Sequence, residues 1–297
     1  MGRGKIVPIA RDLHQGSRIL VLGAGGMLGN DLMKMLGSGH EILGRDCEDF
    51  DITDENRTRD EILKIDPGIV INTAAFTDVD GCEAEVDRAY AVNAHGAGNV
   101  ALACKEGNMK LLHISTDYVF DGKEESPYQE DGIPAPLNIY GKSKLKGEQY
   151  IKEIMENYCI VRTAWLYGRG GKNFANTILK LAEVKEELMV VNDQVGPPTH
   201  TKDLANAIGV LLAHNPKGIY HITNKGTCSW YQFAVEILKL AHMENVKVRP
   251  VSSEVYTRPA GRPAFSALDC SKFEEKTGLV LQPWKDALAE YFMEDSL

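Results

Sequence analysis

The sequence has no long apolar run: no stretch of its 297 residues approaches the roughly 18 apolar residues that a transmembrane helix needs. It also has no hydrophobic signal-peptide segment near its N-terminus, so we expect a cytoplasmic protein without a membrane partner. The six cysteines are scattered and include no Cys-x-x-Cys pair, which indicates reduced thiols rather than a zinc site or a disulfide framework.

Basic residues are fewer than acidic ones, with 33 Lys and Arg against 42 Asp and Glu and a net charge of -9. This balance disfavours nucleic acid and anionic membranes as main partners. A polyanionic ligand would therefore need a local basic pocket. The 43% hydrophobic and 25% charged residues are typical of a soluble globular protein.

A glycine-rich turn follows the first apolar segment. Residues 18–22 predict a short buried strand, and the spacing Gly23-x-x-Gly26-x-x-Gly29 leads into a helix that we expect over residues 30–36. Glycines allow the tight bend, and they let a pyrophosphate approach the helix N-terminus. The turn therefore predicts a dinucleotide site.

The end of the second predicted strand bears on the choice of cofactor. Arg45 would accept a 2′-phosphate, whereas the carboxylate of Asp46 would hold a ribose 2′-hydroxyl. Because Arg45 comes first, NADPH is favoured over NADH, although either side chain could simply be solvated. Asp51, a few residues later, either contacts the adenine or belongs to the start of the next helix.

Strands and helices alternate along the first half of the chain, which predicts an α/β fold with a doubly wound parallel sheet and ligands at the carboxyl ends of its strands. After the predicted strand Ile69–Asn72, the small residues Ala74 and Ala75 let a cofactor approach the backbone. Asn93 lies in an Ala-rich helical stretch, where it is either functional or a structural amide bonded to a neighbouring loop.

The stretch from Leu111 to Lys144 predicts the reactive centre. A buried strand ends at Thr116, and Tyr140 and Lys144 lie four residues apart, so they share one face of a helix. At about 4 Å and an effective dielectric of about 20, an ammonium stabilises a phenolate by about 4 kcal/mol, enough to bring a tyrosine pKa from about 10 to about 7. Tyr140 would then exchange a proton near neutral pH while Thr116 holds a substrate oxygen. The Tyr-x-x-x-Lys spacing alone also arises by chance.

The last third changes character. We expect one strand over residues 159–168 and a helix from Asn173 to about Glu187. Arg258 and Arg262 then lie in a loop stiffened by prolines. In an acidic protein they are candidates for a diphosphate clamp, and the alternative is that they are surface arginines bonded to carbonyls.

Taken together, six motifs resemble the dTDP-4-dehydrorhamnose reductase family of the extended short-chain dehydrogenases/reductases. The resemblance covers nearly everything from Ser17 onward. Its motifs are the glycine spacing, the segment Ser115-Thr116-Asp117-Tyr118-Val119-Phe120-Asp121-Gly122, the Tyr140-x-x-x-Lys144 pair, Arg162-Thr163-x-Trp165-x-Tyr167-Gly168, Asp193-Gln194-x-Gly196-x-Pro198-Thr199 and Arg262-Pro263-x-x-Ser266-x-Leu268-Asp269.

The resemblance implies NAD(P)H-dependent reduction of the 4-keto group of dTDP-4-dehydrorhamnose to dTDP-L-rhamnose, with Thr116, Tyr140 and Lys144 as the catalytic residues. The implied cofactor site comprises Gly23, Gly26, Met27, Leu28, Gly29, Arg45, Asp51, Ile52, Ala74, Ala75, Tyr140 and Lys144. The implied nucleotide-sugar pocket comprises Tyr118, Trp165, Asn173, Gln194 and Arg262. No motif assigns metal ligands, so magnesium stays open, as does a homodimer.

Phe265 departs from the family pattern, which commonly has Asn there, and it either packs against the substrate or turns into the core. Three segments are expected: an extension at 1–16, a Rossmann NAD(P)-binding domain at 17–168, and a smaller α/β region at 169–297 that mainly binds the nucleotide sugar. Two different functions compete with this one: a reductase or epimerase for another nucleotide-diphosphate sugar, and a noncatalytic dinucleotide-binding regulatory subunit.

Overall fold

The computed structural model describes residues 17–295, and the expected extension at 1–16 lies outside this range. Strands and helices alternate in the first part of the chain. They are β1 (Arg18–Leu22), α1 (Met27–Leu36), β2 (Glu41–Arg45), α2 (Glu55–Ile65), β3 (Ile69–Asn72), α3 (Val79–Ala84), α4 (Val86–Tyr90), a π-helix (Ala91–Gly96), α5 (Ala97–Glu106), β4 (Lys110–Thr116), a 3-10 helix (Asp117–Val119), α6 (Ile139–Ile154), β5 (Tyr158–Thr163) and β6 (Leu166–Tyr167).

The second part has shorter strands. Its elements are α7 (Phe174–Ala182), β7 (Glu187–Val191), β8 (Val195–Gly196), β9 (Thr199–His200), α8 (Thr201–Ala213), β10 (Gly218–His221), β11 (Cys228–Ser229), α9 (Trp230–Leu240), β12 (Lys247–Val251), a 3-10 helix (Ser253–Val255), α10 (Ser271–Thr277) and α11 (Trp284–Asp295).

A parallel sheet of six strands in the order β10-β5-β4-β3-β1-β2 forms the centre of the molecule, which confirms the doubly wound prediction. Both faces are covered by helices, so the strands read as continuous apolar runs. In β1, Ile19 and Val21 pack into the core under α1 and α8, while Leu20 and Leu22 pack into the core under α2, α5 and α6. The carboxyl ends of β1, β3 and β4 consequently meet at one edge of the sheet.

The region after residue 168 contributes to both parts of the structure. β10 pairs with β5 in the central sheet, and α8 packs against α1. Helix α10 packs against α8 and β10 as well. A smaller α/β unit is built around α7, α9 and α11, in which β7 pairs with β12 and β8 with β11. Its separate core is centred on Phe233, Ile237 and Trp284. The division into domains at residue 168 stays a prediction. The segment after this residue is not confined to the smaller unit, since β10 joins the first sheet and α8 packs against α1.

Three predicted element boundaries are wrong. Helix α1 begins at Met27 rather than Asn30, directly on the glycine turn. The single strand expected over 159–168 is split into β5 and β6, because Trp165 has a φ of 48° and cannot continue the ladder. Helix α7 ends at Ala182 rather than near Glu187, because Glu187 already pairs with Lys247 at the start of β7.

Candidate active site

The glycine turn between β1 and α1 has the shape of a pyrophosphate cradle. Gly23 has a φ of 79°, in the left-handed region that favours glycine. A Cβ at Gly29 would collide with the Gly23 carbonyl oxygen and with the backbone of Ala24. Gly26 is the N-cap of α1 and offers no side chain to its first turn. The first N–H groups of α1 therefore suit a phosphate. Met27 and Leu28 lie between Gly26 and Gly29. The Leu28 side chain is buried in the core, so only its backbone could face a cofactor.

Arg45 is the last residue of β2, and Asp46 follows it beside this turn. The Arg45 guanidinium donates to the Gly44 carbonyl oxygen at 2.7 Å, and it forms no ion pair within residues 17–295. The Asp46 carboxylate accepts the Gly25 N–H at 2.9 Å, so it braces the turn. Asp51 accepts the Thr53 N–H at 2.9 Å, and the neighbouring Ile52 is buried. Cofactor contacts of Arg45, Asp51 and Ile52 stay predictions.

The loop after β3 is held in place by Asn93 from the π-helix. The Asn93 amide accepts the Phe76 N–H at 2.8 Å and donates to the Phe76 carbonyl oxygen at 3.0 Å and to Ser143 Oγ at 3.0 Å. Of the two interpretations of Asn93, the structural amide is therefore confirmed. By fixing this loop, it also fixes Ala74 and Ala75 opposite the glycine turn, where the Ala74 N–H lies next to Gly23.

Thr116, Tyr140 and Lys144 come together at the carboxyl end of β4. Thr116 is the last residue of β4, and its side chain lies close enough to the Tyr140 phenol to affect its pKa. Asn138 starts α6 by accepting the Gly141 N–H at 2.8 Å, which sets the direction in which Tyr140 projects. Lys144 is buried one turn further along the same helix face. The three residues of the predicted catalytic set thus form one cluster.

The prediction that Lys144 lowers the pKa of Tyr140 is wrong. Burial raises the pKa of Tyr140 above its usual value, and the nearby Thr116 side chain opposes this only in part. Burial lowers the pKa of Lys144 to about 8, against the attraction of Glu148. Lys144 is not among the causes of the Tyr140 shift, and desolvation of the phenolate is the largest of them. A phenol that stays protonated suits proton donation to an alkoxide.

Asp117, to which the sequence assigns no role, is the most perturbed carboxyl group at this edge. Its side chain is buried, and burial raises its pKa to about 7, although hydrogen bonds from Ser266 and Thr116 oppose the shift. Thr116 Oγ1 donates to Asp117 Oδ1 over 3.0 Å. Asp117 is therefore tied to the catalytic cluster through Thr116.

A cavity of about 620 Å³ opens next to this cluster, between the central sheet and the smaller unit. Tyr118, Gln194 and Arg262, three of the predicted substrate residues, line it. Aromatic residues that the sequence did not reveal line it as well, namely Phe174, Trp230 and Tyr256. The Tyr118 ring lies 5.8 Å from the Tyr140 ring, edge to face, so one wall of the cavity packs against Tyr140.

The two arginines of the proline-stiffened loop are both bound to one carboxylate. Arg262 binds Asp80 through two hydrogen bonds of 3.1 and 2.9 Å, and Arg258 binds it at 3.1 Å. Burial alone would raise the pKa of Asp80, but hydrogen bonds from Arg262 and the Ala260 N–H lower it overall. Asp80 is separated from Arg262 by 182 residues, so no local pattern could reveal the pair.

Trp165 and Asn173, the other two predicted substrate residues, support the cavity from behind. Trp165 stacks on Trp230 with ring centroids 3.3 Å apart. Asn173 caps α7 by accepting the Asn176 N–H at 2.9 Å and donates to the Gly168 carbonyl oxygen at 2.8 Å. Their contact with a substrate stays a prediction.

Phe265 is partly buried and packs against the protein interior. Its ring packs against the small apolar cluster of Val119, Phe120, Tyr128 and Leu268. Of the two positions expected for this departure from the family pattern, the structure therefore favours the one in which the loop has adapted around an apolar side chain.

The part of the chain that the structure describes contains no group of three or more His, Cys, Asp or Glu side chains arranged to hold a metal ion, so magnesium gains no candidate ligands. No helix between residues 17 and 295 is long and apolar enough to cross a membrane.

Comparisons with known proteins agree with this geometry. The model of a family described as the RmlD substrate binding domain matches residues 17–296. The spore coat polysaccharide biosynthesis protein SpsK of Bacillus subtilis is 45% identical, over 94% of this chain and 98% of its own length. The dTDP-4-dehydrorhamnose reductase of Aggregatibacter actinomycetemcomitans is 39% identical, over 92% of this chain and 97% of its own.

Solved structures of similar proteins have the same fold. The crystal structure of a dTDP-4-dehydrorhamnose reductase from Clostridium acetobutylicum has a TM-score of 0.92 and 43% identity, covering 94% of this chain and all of that one. A dTDP-4-dehydrorhamnose reductase from Bacillus anthracis in complex with NADP has a TM-score of 0.91 and 41% identity, covering 94% of this chain and 99% of that one. The chain therefore belongs to the RmlD family, the family of dTDP-4-dehydrorhamnose reductases that its motifs indicated.

Proposed function

We propose that this protein reduces the 4-keto group of dTDP-4-dehydrorhamnose to a hydroxyl, with NADPH as the hydride donor. The observation that carries the proposal is the cluster of Thr116, Tyr140 and Lys144, which lies between the glycine turn and the aromatic cavity. A cofactor whose pyrophosphate lies at the glycine turn could place its nicotinamide at the Tyr140 hydroxyl, where it would meet a sugar bound in the cavity.

The residues divide the work of the reaction. NADPH, when bound, supplies the hydride, and the glycine turn would hold its pyrophosphate. Thr116 orients the ketone oxygen, and Tyr140 gives its proton to that oxygen as negative charge develops. Lys144 would bond the nicotinamide ribose. Because burial keeps Tyr140 protonated, its proton is available throughout the neutral pH range.

The preference for NADPH rests on Arg45, whose guanidinium is committed only to a backbone carbonyl among the described residues. NADP in the related Bacillus anthracis structure supports it. NADH is the competing cofactor, since Asp46 beside Arg45 could hold a ribose 2′-hydroxyl once it releases the Gly25 N–H.

The pocket for the nucleotide sugar combines aromatic faces with one pair of arginines. Trp230 and Phe174 offer faces for a base, with ring centroids 4.5 Å apart, while Arg262 offers donors for a diphosphate. Asp80 holds Arg262 in place and neutralises it in part. We propose that the remaining guanidinium donors of Arg262 bind the diphosphate.

A second candidate for the substrate is a different 4-keto-6-deoxy sugar. This candidate has support because a relative from Streptomyces niveus, 38% identical over 93% of this chain, is named dTDP-4-keto-6-deoxy-D-glucose reductase. The two sugars would place the same ketone at Tyr140 and differ only in ring substituents. An epimerase would use the same cluster without consuming NADPH, and a noncatalytic regulatory subunit would bind NADPH without turnover.

The test is to mix the purified protein with NADPH and each of the two 4-keto sugars, and to follow absorbance and product identity. We expect stoichiometric NADPH oxidation and dTDP-L-rhamnose from the first sugar. Turnover with the second sugar alone would show that this sugar, and not dTDP-4-dehydrorhamnose, is the substrate. Product formation without net NADPH oxidation would indicate an epimerase, and binding of NADPH without any turnover would indicate a regulatory subunit.

A further inference from the structure

His113 lies directly beneath the amino group of Lys144. It is in the middle of β4, and its imidazole is 1% exposed. His113 Nε2 is 3.2 Å from Lys144 Nζ, which also donates to the Ile114 carbonyl oxygen at 2.6 Å. The opposite ring nitrogen, His113 Nδ1, has no hydrogen-bond partner within residues 17–295. Among these residues the ring thus has one side-chain hydrogen-bond partner, Lys144.

In the contact between Lys144 Nζ and His113 Nε2, only one of the two nitrogens can carry the proton that points at the other. An ammonium is a donor in all three of its N–H directions, so His113 Nε2 must be the acceptor when Lys144 is charged. The imidazole is then neutral and carries its proton on Nδ1. Burial lowers the pKa of His113 well below its usual value, and the charge of Lys144 lowers it further, which agrees with a neutral ring.

The two contacts use two of the three ammonium protons. Ile114 and His113 both belong to β4, so these protons point towards the sheet and the third points away from it. A buried ammonium without such acceptors would lose its proton, because desolvation favours the neutral amine. The other charged group that acts on it is Glu148 of the same helix, whose carboxylate is bound to Arg162 of β5 and to Ser115.

We infer that His113 is a positioning residue that holds Lys144 charged and directs its remaining proton towards the cofactor ribose. The inference rests on the proposed function, because it assumes that Lys144 acts on the cofactor. It assigns a role to a residue that does not touch the substrate. His113 acts only through the lysine, as an acceptor of fixed geometry.

The first test uses the cofactor-free protein labelled with 15N-histidine. We expect the His113 resonances of a neutral ring with protonated Nδ1 and unprotonated Nε2, unchanged between about pH 5.5 and pH 7, which is the range below the loss of the Lys144 proton. In Lys144→Met the Nε2 resonance should shift, because its donor is gone. A protonated Nε2 in the neutral ring, or a His113 titration near pH 6.5, would overturn the inference.

The second test compares His113→Leu with His113→Gln, whose side-chain oxygen can still accept a proton. We expect His113→Leu to lower kcat/KM for dTDP-4-dehydrorhamnose at least about tenfold and to move the alkaline loss of activity down by roughly one pH unit. His113→Gln should recover much of both. The matched control is Leu112→Ala, which removes a buried side chain from the other face of the same strand and should leave the alkaline limb in place.

Lys144→Met separates this inference from the proposed function. If Lys144→Met abolishes turnover while the alkaline limb of His113→Leu matches that of the wild type, the role of His113 is refuted and the reaction stands. If Lys144→Met turns over normally, the proposed mechanism itself is refuted. Should His113→Leu fail to fold, the histidine spectra of the wild type and Lys144→Met decide the question.

Discussion

Asp117 should make the protein less stable as the pH rises, which is the opposite of what a surface carboxylate does. Its pKa is about 7 in the folded protein against 3.8 for an unperturbed Asp. Between these values the unfolded chain releases the proton while the folded protein retains it, so stability falls with rising pH. The difference of about 3 pH units corresponds to at most about 4 kcal/mol of unfolding free energy between pH 4 and pH 8.

The perturbation is Asp117→Asn, which keeps the shape of the side chain and an oxygen for the Thr116 hydroxyl but cannot ionise. We expect the variant to gain stability relative to the wild type as the pH rises from 4 to 8, by about 2 to 4 kcal/mol. Urea unfolding at a series of pH values, followed by fluorescence and circular dichroism together, measures this difference.

Other groups do not obscure the result. His221 has its pKa lowered to about 3 by burial and by Arg162, and His113 has a lowered pKa as well, so both make stability rise with pH below about 6.5. Both histidines are present in the wild type and in the variant and cancel in the difference. A difference that stays constant within about 0.5 kcal/mol from pH 4 to pH 8 would refute the assignment of a protonated Asp117.

Asp121, four residues further along, provides the control of opposite sign. Burial would raise its pKa, but hydrogen bonds from the Lys123 N–H and from Tyr128 lower it overall. A lowered pKa adds stability that is present above the unfolded pKa and is lost in acid. Asp121→Asn should therefore lose stability relative to the wild type as the pH rises, whereas Asp117→Asn gains it.

Three further variants test separate contacts. Arg45→Ala should weaken NADPH binding about tenfold or more in fluorescence titrations and leave NADH binding unchanged, since only NADPH carries the 2′-phosphate; equal losses for both would make Arg45 a bystander. Arg262→Ala should raise KM for the nucleotide sugar at least about tenfold with unchanged NADPH affinity, and an unchanged sugar KM would exclude the diphosphate contact. Glu148→Ala should lower the unfolding free energy by about 3 to 5 kcal/mol in urea titrations, because it leaves Arg162 buried without its partner; a loss below about 1 kcal/mol would mean that water replaces the carboxylate.

The fold was predictable because its signals are local. The apolar run of β1, the glycines that follow it, and the four-residue spacing of Tyr140 and Lys144 each lie within a few residues of sequence. Parallel strands then bring their carboxyl ends together by topology alone. For this reason, the sequence is sufficient to locate the cluster of Thr116, Tyr140 and Lys144 and the glycine turn.

The features that were not predictable depend on distant contacts. The bond between Asp80 and Arg262 joins segments separated by 182 residues. The contact between Lys144 and His113 depends on how α6 packs on β4. Desolvation, which reverses the expected pKa shift of Tyr140, depends on the whole surrounding core. Trp230 begins α9 without any local pattern to set it apart, yet it lines the cavity.

Proton donation by Tyr140, in a reduction driven by NADPH, is the step on which the proposed mechanism depends. It is measured by the single-turnover rate of NADPH oxidation with dTDP-4-dehydrorhamnose for the wild type and for Tyr140→Phe, with NADPH affinity determined in parallel. We expect the variant to bind NADPH as the wild type does and to be slower by about 100-fold or more, which is typical of the loss of a general acid. A rate within a few-fold of the wild type would show that the proton comes from another group.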